Sequence, residues 1–356
     1  MVSASRPLGS VLRESHATIV MKVGINGFGR VGRLALRAGW HRDDIEFVAI
    51  NEPAASAGNM ALLLEFDSVQ GRWDQACQGS GDTLRIADRD LSFTAFSEPG
   101  DVPWGELGVD LVLECSGRFR KTDLVRPHLA QGAKRVVVSA PVSDGPPNIV
   151  VGVNHGDFDF SEHEIVTAAS CTTNCLAPIV KVVHDGLGIE RGSVTTLHDP
   201  TNTQSVHDAP HSDPRRARAS QINLIPTSTN SAYAVTRILP ELEGRLDSIA
   251  VRVPVLNASL VDCAFHVSRD TDVDEVNALL RKASEQGPLA GILGFETRPL
   301  VSSDYARDKR SGIVDAGCTR VIDKRLVKVM AWYDNEWGYA NRMVELAGMV
   351  AGAYQG

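Results

Sequence analysis

The N-terminal half of the chain alternates short apolar runs with amphipathic segments. Residues 21–26 (MKVGIN) form a β-rich run, and the next segment carries apolar residues at helical spacing: Val31, Leu34, Ala35 and Ala38. A second apolar run (IEFVAINE) ends at Glu52. Two more, VDLVLECSG (109–117) and AKRVVVSAP (133–141), end in small residues and have a helical stretch between them. Strands that alternate with helices predict a parallel, doubly wound sheet, and such sheets bind ligands at the carboxyl ends of their strands.

The pattern changes after residue 170. The segment CLAPIVKVVHDGL predicts a helix whose apolar face carries Leu176, Ile179, Val180 and Val183. The segment SVTTLH then alternates as a strand does and ends at His198. No internal repeat or low-complexity linker appears in the chain. We draw the domain boundary at ASCTTNC.

A glycine-rich run lies where the first strand meets the first helix. It has the pattern GxGxxG and consists of Gly27, Phe28, Gly29, Arg30, Val31 and Gly32. In this context the first glycine makes a tight turn, the second lets a pyrophosphate approach the backbone, and the third lets the helix pack on the strand. The helix N-terminus then faces the phosphates. The sequence therefore predicts a dinucleotide-binding site.

Two strand ends complete this prediction. Glu52 lies twenty residues after Gly32, at the tip of the second strand. A carboxylate there accepts hydrogen bonds from a ribose 2′-hydroxyl and repels a 2′-phosphate, which favours NAD over NADP. Ser139, with Ala140 beside it, lies at the end of a later strand, where a nicotinamide ribose can approach.

Composition excludes several classes of function. The 356 residues suggest about two domains, and a hydrophobic share of 43% is typical of a globular protein with a buried core. A net charge of −8 without a Lys/Arg block argues against nucleic-acid binding, and no apolar run reaches transmembrane length. Six cysteines in a chain of this length do not indicate a secreted disulfide framework, so we expect a reduced, cytoplasmic protein. Residues 1–20 lack the continuous apolar stretch of a signal peptide, and we expect a disordered extension or a misassigned start upstream of Met21.

The stretch ASCTTNCLAP (169–178) could hold a metal, a disulfide, a piece of core or a nucleophile. Cys171 and Cys175 lack the second ligand pair of a zinc ribbon and a histidine at finger spacing, so no metal is expected. Cys171 is predicted at the N-terminal edge of the helix, where the helix dipole and free backbone N–H groups stabilise a thiolate. Cys175 lies one turn further along the helix, and its side chain is predicted to pack in the core. His198 is the candidate base, because a neutral imidazole can take a thiol proton and return one to an oxyanion.

Four segments carry a resemblance to a known family. KVGINGFGRVGRLALR, ASCTTNCLAP, AVRVPVLNASLVD and WYDNEWGYANRM resemble glyceraldehyde-3-phosphate dehydrogenase, in the same order and from Met21 to the last predicted helix. The resemblance implies an α/β fold: a Rossmann doubly wound parallel sheet that binds NAD, and an α+β catalytic domain with a mixed or antiparallel sheet. The implied NAD-binding domain is residues 21–170, completed by a C-terminal helix over 337–356, and the catalytic domain is residues 171–336. Members of the family are homotetramers, so a homotetramer is expected.

The resemblance also implies roles for individual residues. Cys171 resembles the family's nucleophile, which forms a thioester with glyceraldehyde 3-phosphate, and His198 resembles its acid–base partner. The pyrophosphate of NAD is expected at Arg30 and Val31, and the nicotinamide carboxamide at Asn335. The 3-phosphate of the substrate is expected at Thr201, Thr203 and Arg252. The attacking inorganic anion is expected among Ser170, Thr172, Arg218, Thr229 and Asn230.

The chain departs from the family pattern near the second anion. Asn230 stands where the family places glycine, Arg216 is an additional arginine, and Asp199 and Pro200 follow the histidine where small or apolar residues are usual. Glu52 also replaces an aspartate. The segments HDPTNTQ and RRARAS resemble a branch associated with arsenic efflux genes. In that branch arsenate attacks the thioester and gives 1-arseno-3-phosphoglycerate, whereas phosphate gives 1,3-bisphosphoglycerate.

Three alternatives stay open at this point. Erythrose-4-phosphate dehydrogenase shares the Asn-Glu at the tip of the second strand, and semialdehyde dehydrogenases share the combination of a dinucleotide site and a cysteine. The segment YDNEWGYANRM disfavours the semialdehyde enzymes. A third alternative is a regulatory protein that binds NAD without turnover, against which the presence of both Cys171 and His198 argues.

Overall fold

Two β-sheets form the framework of the protein in a computed structural model, which describes residues 20–142 and 144–354. The extension expected over residues 1–20 lies outside the described residues apart from Val20. So do the last two residues of the predicted C-terminal helix.

The first sheet has a parallel centre. Its strands are β1 Met21–Asn26, β2 Ile45–Asn51, β3 Cys77–Ser80, β4 Thr83–Ile86, β5 Arg89–Thr94, β6 Leu111–Glu114, β7 Arg135–Val138 and β8 Ile165–Thr167. Their order across the sheet is β3-β4-β5-β2-β1-β6-β7-β8. Across the sheet, all neighbouring strands in β5-β2-β1-β6-β7-β8 pair in parallel, and β4 and β3 add an antiparallel edge beside β5. The order reverses on either side of β1, which places a ligand crevice at the carboxyl end of that strand.

Helices cover both sheets. They are α1 Arg30–Gly39, α2 Ala57–Glu65, α3 Thr122–Val125, α4 Pro127–Ala130, α5 Cys171–Leu187, α6 Ser231–Thr236, α7 Val273–Glu285 and α8 Trp337–Tyr354. The C-terminal helix α8 returns to the first sheet and packs against α1, β2, β6 and β7. Helix α5 packs on the second sheet and also contacts α8, so it lies where the two sheets' helices meet.

The second sheet is mixed. Its strands are β9 Ile189–His198, β10 Ile225–Ser228, β11 Leu246–Arg252, β12 Ser259–Val267, β13 Leu293–Glu296, β14 Gly312–Asp315, β15 Arg320–Ile322 and β16 Leu326–Tyr333. Their order is β10-β11-β9-β12-β16-β14-β13, with β15 paired to β16. Buried and partly exposed residues alternate strictly along β12, the pattern of a strand with one face on the core.

This architecture is the predicted one, with differences in strand length. The strands expected over 109–117 and 133–141 contract to β6 and β7. Three residues after β6, Gly117 adopts a φ of +69°, a left-handed conformation that turns the chain out of the sheet.

The second sheet brings several polar residues to one edge. The parallel pairing of β9 and β11 sets His198 directly beside Arg252. The antiparallel pairing of β12 and β16 sets Ser259 beside Tyr333, two residues before Asn335. Cys171 begins α5 above this edge, which makes the edge the candidate site.

Candidate active site

Cys171 is the first residue of α5. Ser170 caps the helix, because its hydroxyl accepts a hydrogen bond from the backbone N–H of Thr173 at 3.1 Å. The preceding Ala169 has a φ of +53°, and its carbonyl accepts from the Tyr339 hydroxyl at 3.1 Å. A non-glycine residue in this conformation is strained and needs support from its surroundings. The strained turn and the cap together place Cys171 at the N-terminus of the helix, as predicted.

The side chains of Cys171 and His198, the two candidate catalytic residues, are in contact. Cys171 Sγ lies 3.6 Å from His198 Nε2, and His198 is 5% exposed. Burial opposes ionisation of the thiol, but the hydrogen bond and charge of His198 outweigh it, so the pKa of Cys171 lies below its usual value. Burial also disfavours the imidazolium, but hydrogen bonds with Asp199 and Cys171 raise the pKa of His198 to about 9. The arrangement favours a thiolate–imidazolium pair.

Cys175 differs from Cys171 in every respect that governs reactivity. It is fully buried, one helical turn further along α5, and it packs in the core. Burial and the neighbouring sulfur of Cys263 raise the pKa of the Cys175 thiol well above its usual value. A neutral, inaccessible thiol is structural.

Arg252 and two threonines lie beside His198. Arg252 Nη1 donates to the carbonyl oxygen of Asp199 at 2.9 Å and lies 2.6 Å from His198 Nδ1. Its Nε is buried and has no hydrogen-bond partner among the described residues. The hydroxyls of Thr201 and Thr203 contact one another at 2.9 Å just beyond His198 in the chain. An unpartnered guanidinium N–H suits a phosphate group.

The residues expected around the second anion are only partly brought together. Thr172 Oγ1 contacts the Tyr333 hydroxyl at 2.9 Å, and Thr229 Oγ1 contacts Ser231 Oγ at 2.8 Å. Asn230 is exposed and precedes α6 without making a side-chain capping bond. Ser170 is used as the cap of α5.

The two nearby arginines, Arg216 and Arg218, have different surroundings. Arg218 is 64% exposed and pairs with Asp208 at 3.1 Å. Arg216 Nε donates to Thr227 Oγ1 at 2.7 Å, on the strand that leads to Thr229. The positive charge of Arg216 also lowers the pKa of Arg252, after the larger effect of burial. The reason is local, since Asp208 is the nearest anion to Arg218 and holds it at the surface.

The glycine-rich loop (residues 27–32) fits a dinucleotide. Gly27 has a φ of +88°, and a Cβ there would lie 2.5 Å from the backbone of Ser116. A Cβ on Gly32 would lie 2.3 Å from the carbonyl oxygen of Gly27, so only glycine lets α1 pack this closely. At Gly29 a Cβ would meet nothing within 4 Å, and the N-terminus of α1 has no side-chain cap. Open space beside uncapped N–H groups is the environment that a pyrophosphate requires.

Other residues expected at the cofactor have partners within the protein. Glu52 accepts from the backbone N–H groups of Phe28 at 2.7 Å and Ala54 at 2.9 Å, which fixes its carboxylate beside the loop. The Arg30 guanidinium is engaged by the carboxylates of Asp67 and Glu336, so Arg30 can offer a pyrophosphate only its backbone. Val31 follows it in α1 and is half-buried, as is Ser139 after β7.

Asn335 lies at the junction of the two halves. It is 8% exposed, its Nδ2 donates to Asp199 Oδ2 at 3.0 Å, and its Oδ1 accepts from Ser259 Oγ at 3.2 Å. An amide held at both ends presents a fixed hydrogen-bonding edge, which suits recognition of a carboxamide.

Sequence reasoning did not assign roles to several residues of this edge. Tyr333 supports the start of α5 through Thr172 and also contacts Thr196 Oγ1 at 2.9 Å. Asp199 is 2% exposed and lies against His198. The signal for Asp199 was its departure from the family pattern, and the signal for Tyr333 was its place in the segment WYDNEWGYANRM.

Within residues 20–142 and 144–354, no group of three or more His, Cys, Asp or Glu residues is arranged to hold a metal ion. In the same ranges, no helix is long and apolar enough to span a membrane.

Comparisons with known proteins agree with this geometry. The family model for the NAD binding domain of glyceraldehyde 3-phosphate dehydrogenase matches residues 21–122, and the model for its C-terminal domain matches residues 170–335. The chain belongs to the glyceraldehyde-3-phosphate dehydrogenase family. The predicted family, fold class and cofactor are thereby confirmed. The protein is an NAD-dependent phosphorylating dehydrogenase that oxidises glyceraldehyde 3-phosphate.

Relatives match along nearly their whole length. Glyceraldehyde-3-phosphate dehydrogenase 3 of Nostoc sp. is 58% identical over 331 residues, which are 93% of this chain and 98% of the relative. The enzyme of Pseudomonas aeruginosa is 48% identical over 338 residues, 94% of this chain and 99% of the relative. That of Geobacillus stearothermophilus is 46% identical over 333 residues, with the same coverage.

Proposed function

We propose that Cys171 is the nucleophile of this oxidation and His198 its acid–base partner. The observation that carries the proposal is the 3.6 Å contact between Cys171 Sγ and His198 Nε2 at the N-terminus of α5. The lowered pKa of the thiol, which the His198 hydrogen bond produces against the effect of burial, supports a reactive thiolate at neutral pH.

The proposed sequence of bonds follows from this contact. The thiolate attacks the aldehyde carbon, the carbonyl π electrons move to oxygen, and the imidazolium of His198 protonates the resulting alkoxide. The backbone N–H of Cys171 helps to stabilise that oxyanion. His198 then removes the hydroxyl proton as the carbon is oxidised to a thioester. NAD, when bound, supplies the hydride acceptor. An inorganic oxyanion attacks the thioester carbonyl, and the thiolate leaves.

Two anion subsites are proposed around this centre. The 3-phosphate of the substrate binds Arg252, whose buried Nε has no partner among the described residues, with Thr201 and Thr203. The inorganic anion binds near Ser170, Thr172, Thr229 and Asn230. We replace Arg218 by Arg216 in this second group, because Arg218 is held at the surface by Asp208.

We further propose that arsenate releases the product at least as efficiently as phosphate. The two anions share shape and charge, so a tenfold preference requires only about 1.4 kcal/mol of differential transition-state binding. Asn230 supports the proposal because its side chain is exposed and makes no capping bond. Phosphate would give 1,3-bisphosphoglycerate and arsenate 1-arseno-3-phosphoglycerate.

Steady-state kcat/KM values for the two anions test this specificity. We expect arsenate to match or exceed phosphate in the wild type, and the gap to narrow in Asn230→Gly, which removes the amide at an exposed position. A clear phosphate preference that Asn230→Gly leaves unchanged would refute the arsenate proposal and leave a glycolytic enzyme.

A matched pair of arginine variants tests the second subsite. Arg216→Gln should raise the KM for the inorganic anion by about tenfold or more, the loss expected for one charge-assisted hydrogen bond. Arg218→Gln, two residues away, should leave that KM unchanged. The reverse result would restore the assignment of Arg218.

We also propose the domain division given above and a homotetramer. Large apolar side chains are exposed on and beside β10, β11 and α6: Ile222 at 81%, Leu224 at 69%, Tyr233 at 62%, Ile249 at 45% and Leu256 at 71%. Such a patch supports subunit contacts. A light-scattering mass of one subunit would contradict the tetramer.

A further inference from the structure

A buried carboxylate that the proposed mechanism does not use lies against the catalytic histidine. Asp199 Oδ1 is 2.7 Å from His198 Nδ1, on the side of the ring opposite Cys171. Asp199 Oδ2 accepts from Asn335 Nδ2 at 3.0 Å, and Ser259 Oγ lies 3.3 Å from Oδ1. One carboxylate therefore contacts both the acid–base residue and the amide that we expect at the nicotinamide.

The charge of Asp199 requires a cation within the site. A buried ionised carboxylate is costly unless it is paired. Among the ion pairs of the described residues, the Asp199 carboxylate has His198 as its partner. Arg252 is close, but its Nη1 donates to the backbone carbonyl oxygen of Asp199 at 2.9 Å. The imidazolium of His198 therefore balances Asp199. This pairing places a proton on Nδ1, as does the backbone carbonyl oxygen of Asp199, which lies 2.8 Å from the same nitrogen.

Four groups from different elements face the His198 ring. Cys171 of α5 contacts Nε2, Asp199 contacts Nδ1, and Tyr333 of β16 presents its ring edge-on at 6.0 Å between centroids. Arg252 of β11 places Nη1 2.6 Å from the same Nδ1 that Asp199 contacts. Because a guanidinium only donates, the Arg252 contact requires a bare Nδ1, whereas the Asp199 contact requires a protonated one. Binding of a substrate phosphate by Arg252 would remove this competition in favour of Asp199.

We propose that Asp199 is a positioning residue of the dehydrogenase, which holds His198 with its proton on Nδ1 and its Nε2 toward Cys171, and which ties that histidine to Asn335. The inference rests on the proposed roles of Cys171 and His198. The same carboxylate sets the tautomer of the acid–base group and the orientation of the Asn335 amide, and so aligns proton transfer with the position of the hydride acceptor.

A consequence for pH dependence follows. Burial lowers the pKa of His198, and the hydrogen bond that its ring donates to the Asp199 side chain is the largest effect that raises it. Asp199 also disfavours the thiolate directly, but the hydrogen bond and charge of His198 act more strongly on Cys171. Without Asp199, the imidazolium loses its stabilisation and the pKa of the Cys171 thiol rises toward its ordinary value.

The pH profile of Cys171 alkylation tests the proposal without substrate or NAD. Iodoacetamide reacts with the thiolate, and the labelled peptide, quantified by mass spectrometry, separates Cys171 from the other cysteines. In Asp199→Asn the amide oxygen keeps the bond from Asn335. The NH₂ then faces Nδ1 and no longer stabilises an imidazolium, while the backbone carbonyl oxygen of residue 199 still lies 2.8 Å from Nδ1. We expect the alkylation midpoint to rise by about one pH unit, with a rate at pH 6 reduced about tenfold. We also expect kcat to fall about 100-fold, with KM for glyceraldehyde 3-phosphate changed less than about threefold.

Two further variants make the result decisive. Asp199→Ser removes the carboxylate without adding a donor amide and should shift the alkylation profile in the same direction, which decides the matter if the Asn variant does not fold. Asp262 is a carboxylate on β12 that pairs with Lys328. Asp262→Asn is the control and should change neither the alkylation profile nor kcat.

The outcomes separate this role from the mechanism on which it rests. If the wild-type thiol ionises below its ordinary range and the alkylation profiles of the wild type and the Asp199 variants superimpose, the role of Asp199 alone is overturned. A wild-type thiol that ionises in its ordinary range would overturn the Cys171–His198 pair, and the role of Asp199 with it.

Discussion

Replacement of His198 by asparagine separates two contributions that one histidine makes to the rate. Asparagine can still donate to Asp199, so the buried carboxylate keeps a partner and the fold is preserved. A thiol with an ordinary pKa of about 8.5 is only about 3% ionised at pH 7, so complete ionisation of Cys171 is worth about 30-fold, or ~2 kcal/mol, relative to such a thiol. The value is larger in this site, because burial and Asp199 oppose the thiolate once His198 is removed. Proton transfer to and from the substrate oxygen contributes about 10²–10⁴ in addition. We therefore expect kcat in His198→Asn to fall by about 10³–10⁵.

Two measurements in one buffer at pH 7 divide that loss. The alkylation rate of Cys171 reports ionisation alone and should fall by about 30-fold or more. The value of kcat for NAD reduction with glyceraldehyde 3-phosphate reports both effects and should fall much further. If kcat falls only as far as the alkylation rate, His198 merely ionises the thiol, and its proposed role as acid and base at the substrate oxygen is refuted. Circular dichroism and NAD binding serve as controls for folding.

Two further predictions concern the thiols and the cofactor. Cys171→Ser should abolish NAD reduction while NAD still binds, and substantial turnover by this variant would contradict the assignment of the nucleophile. Cys175→Ser should keep most of the activity but lose about 1–3 kcal/mol of unfolding free energy, measured by urea denaturation, because a hydroxyl enters an apolar site. NAD should be strongly preferred over NADP, because the Glu52 carboxylate is fixed beside the glycine-rich loop and would repel a 2′-phosphate. Equal kcat/KM values for the two cofactors would count against this role of Glu52.

Local features of the chain determined much of the fold and part of the site. The strand, glycine-rich loop and helix from Met21 to Gly39 could be predicted because each element has its own hydrophobic period and the turn between them requires glycine at Gly27. Cys171 could be placed at a helix start for a similar reason, since a capping serine and an apolar periodicity lie within a few residues of it. The two cysteines of α5 could then be assigned different environments from their spacing alone.

Only the tertiary structure decided which side chains meet. Cys171 and His198 lie 27 residues apart in sequence, and the register of β9 against β11 brings Arg252 to the same histidine. Arg216 donates to Thr227 Oγ1 whereas Arg218 pairs with Asp208 at the surface, a difference that two residues of spacing cannot settle. The physical reason is that hydrophobic periodicity records which face of an element is buried, whereas strand order, register and the pairing of buried charges arise from packing between distant segments. Asp199 follows His198 directly in the chain, but its carboxylate contacts two residues that are distant in sequence, Asn335 and Ser259.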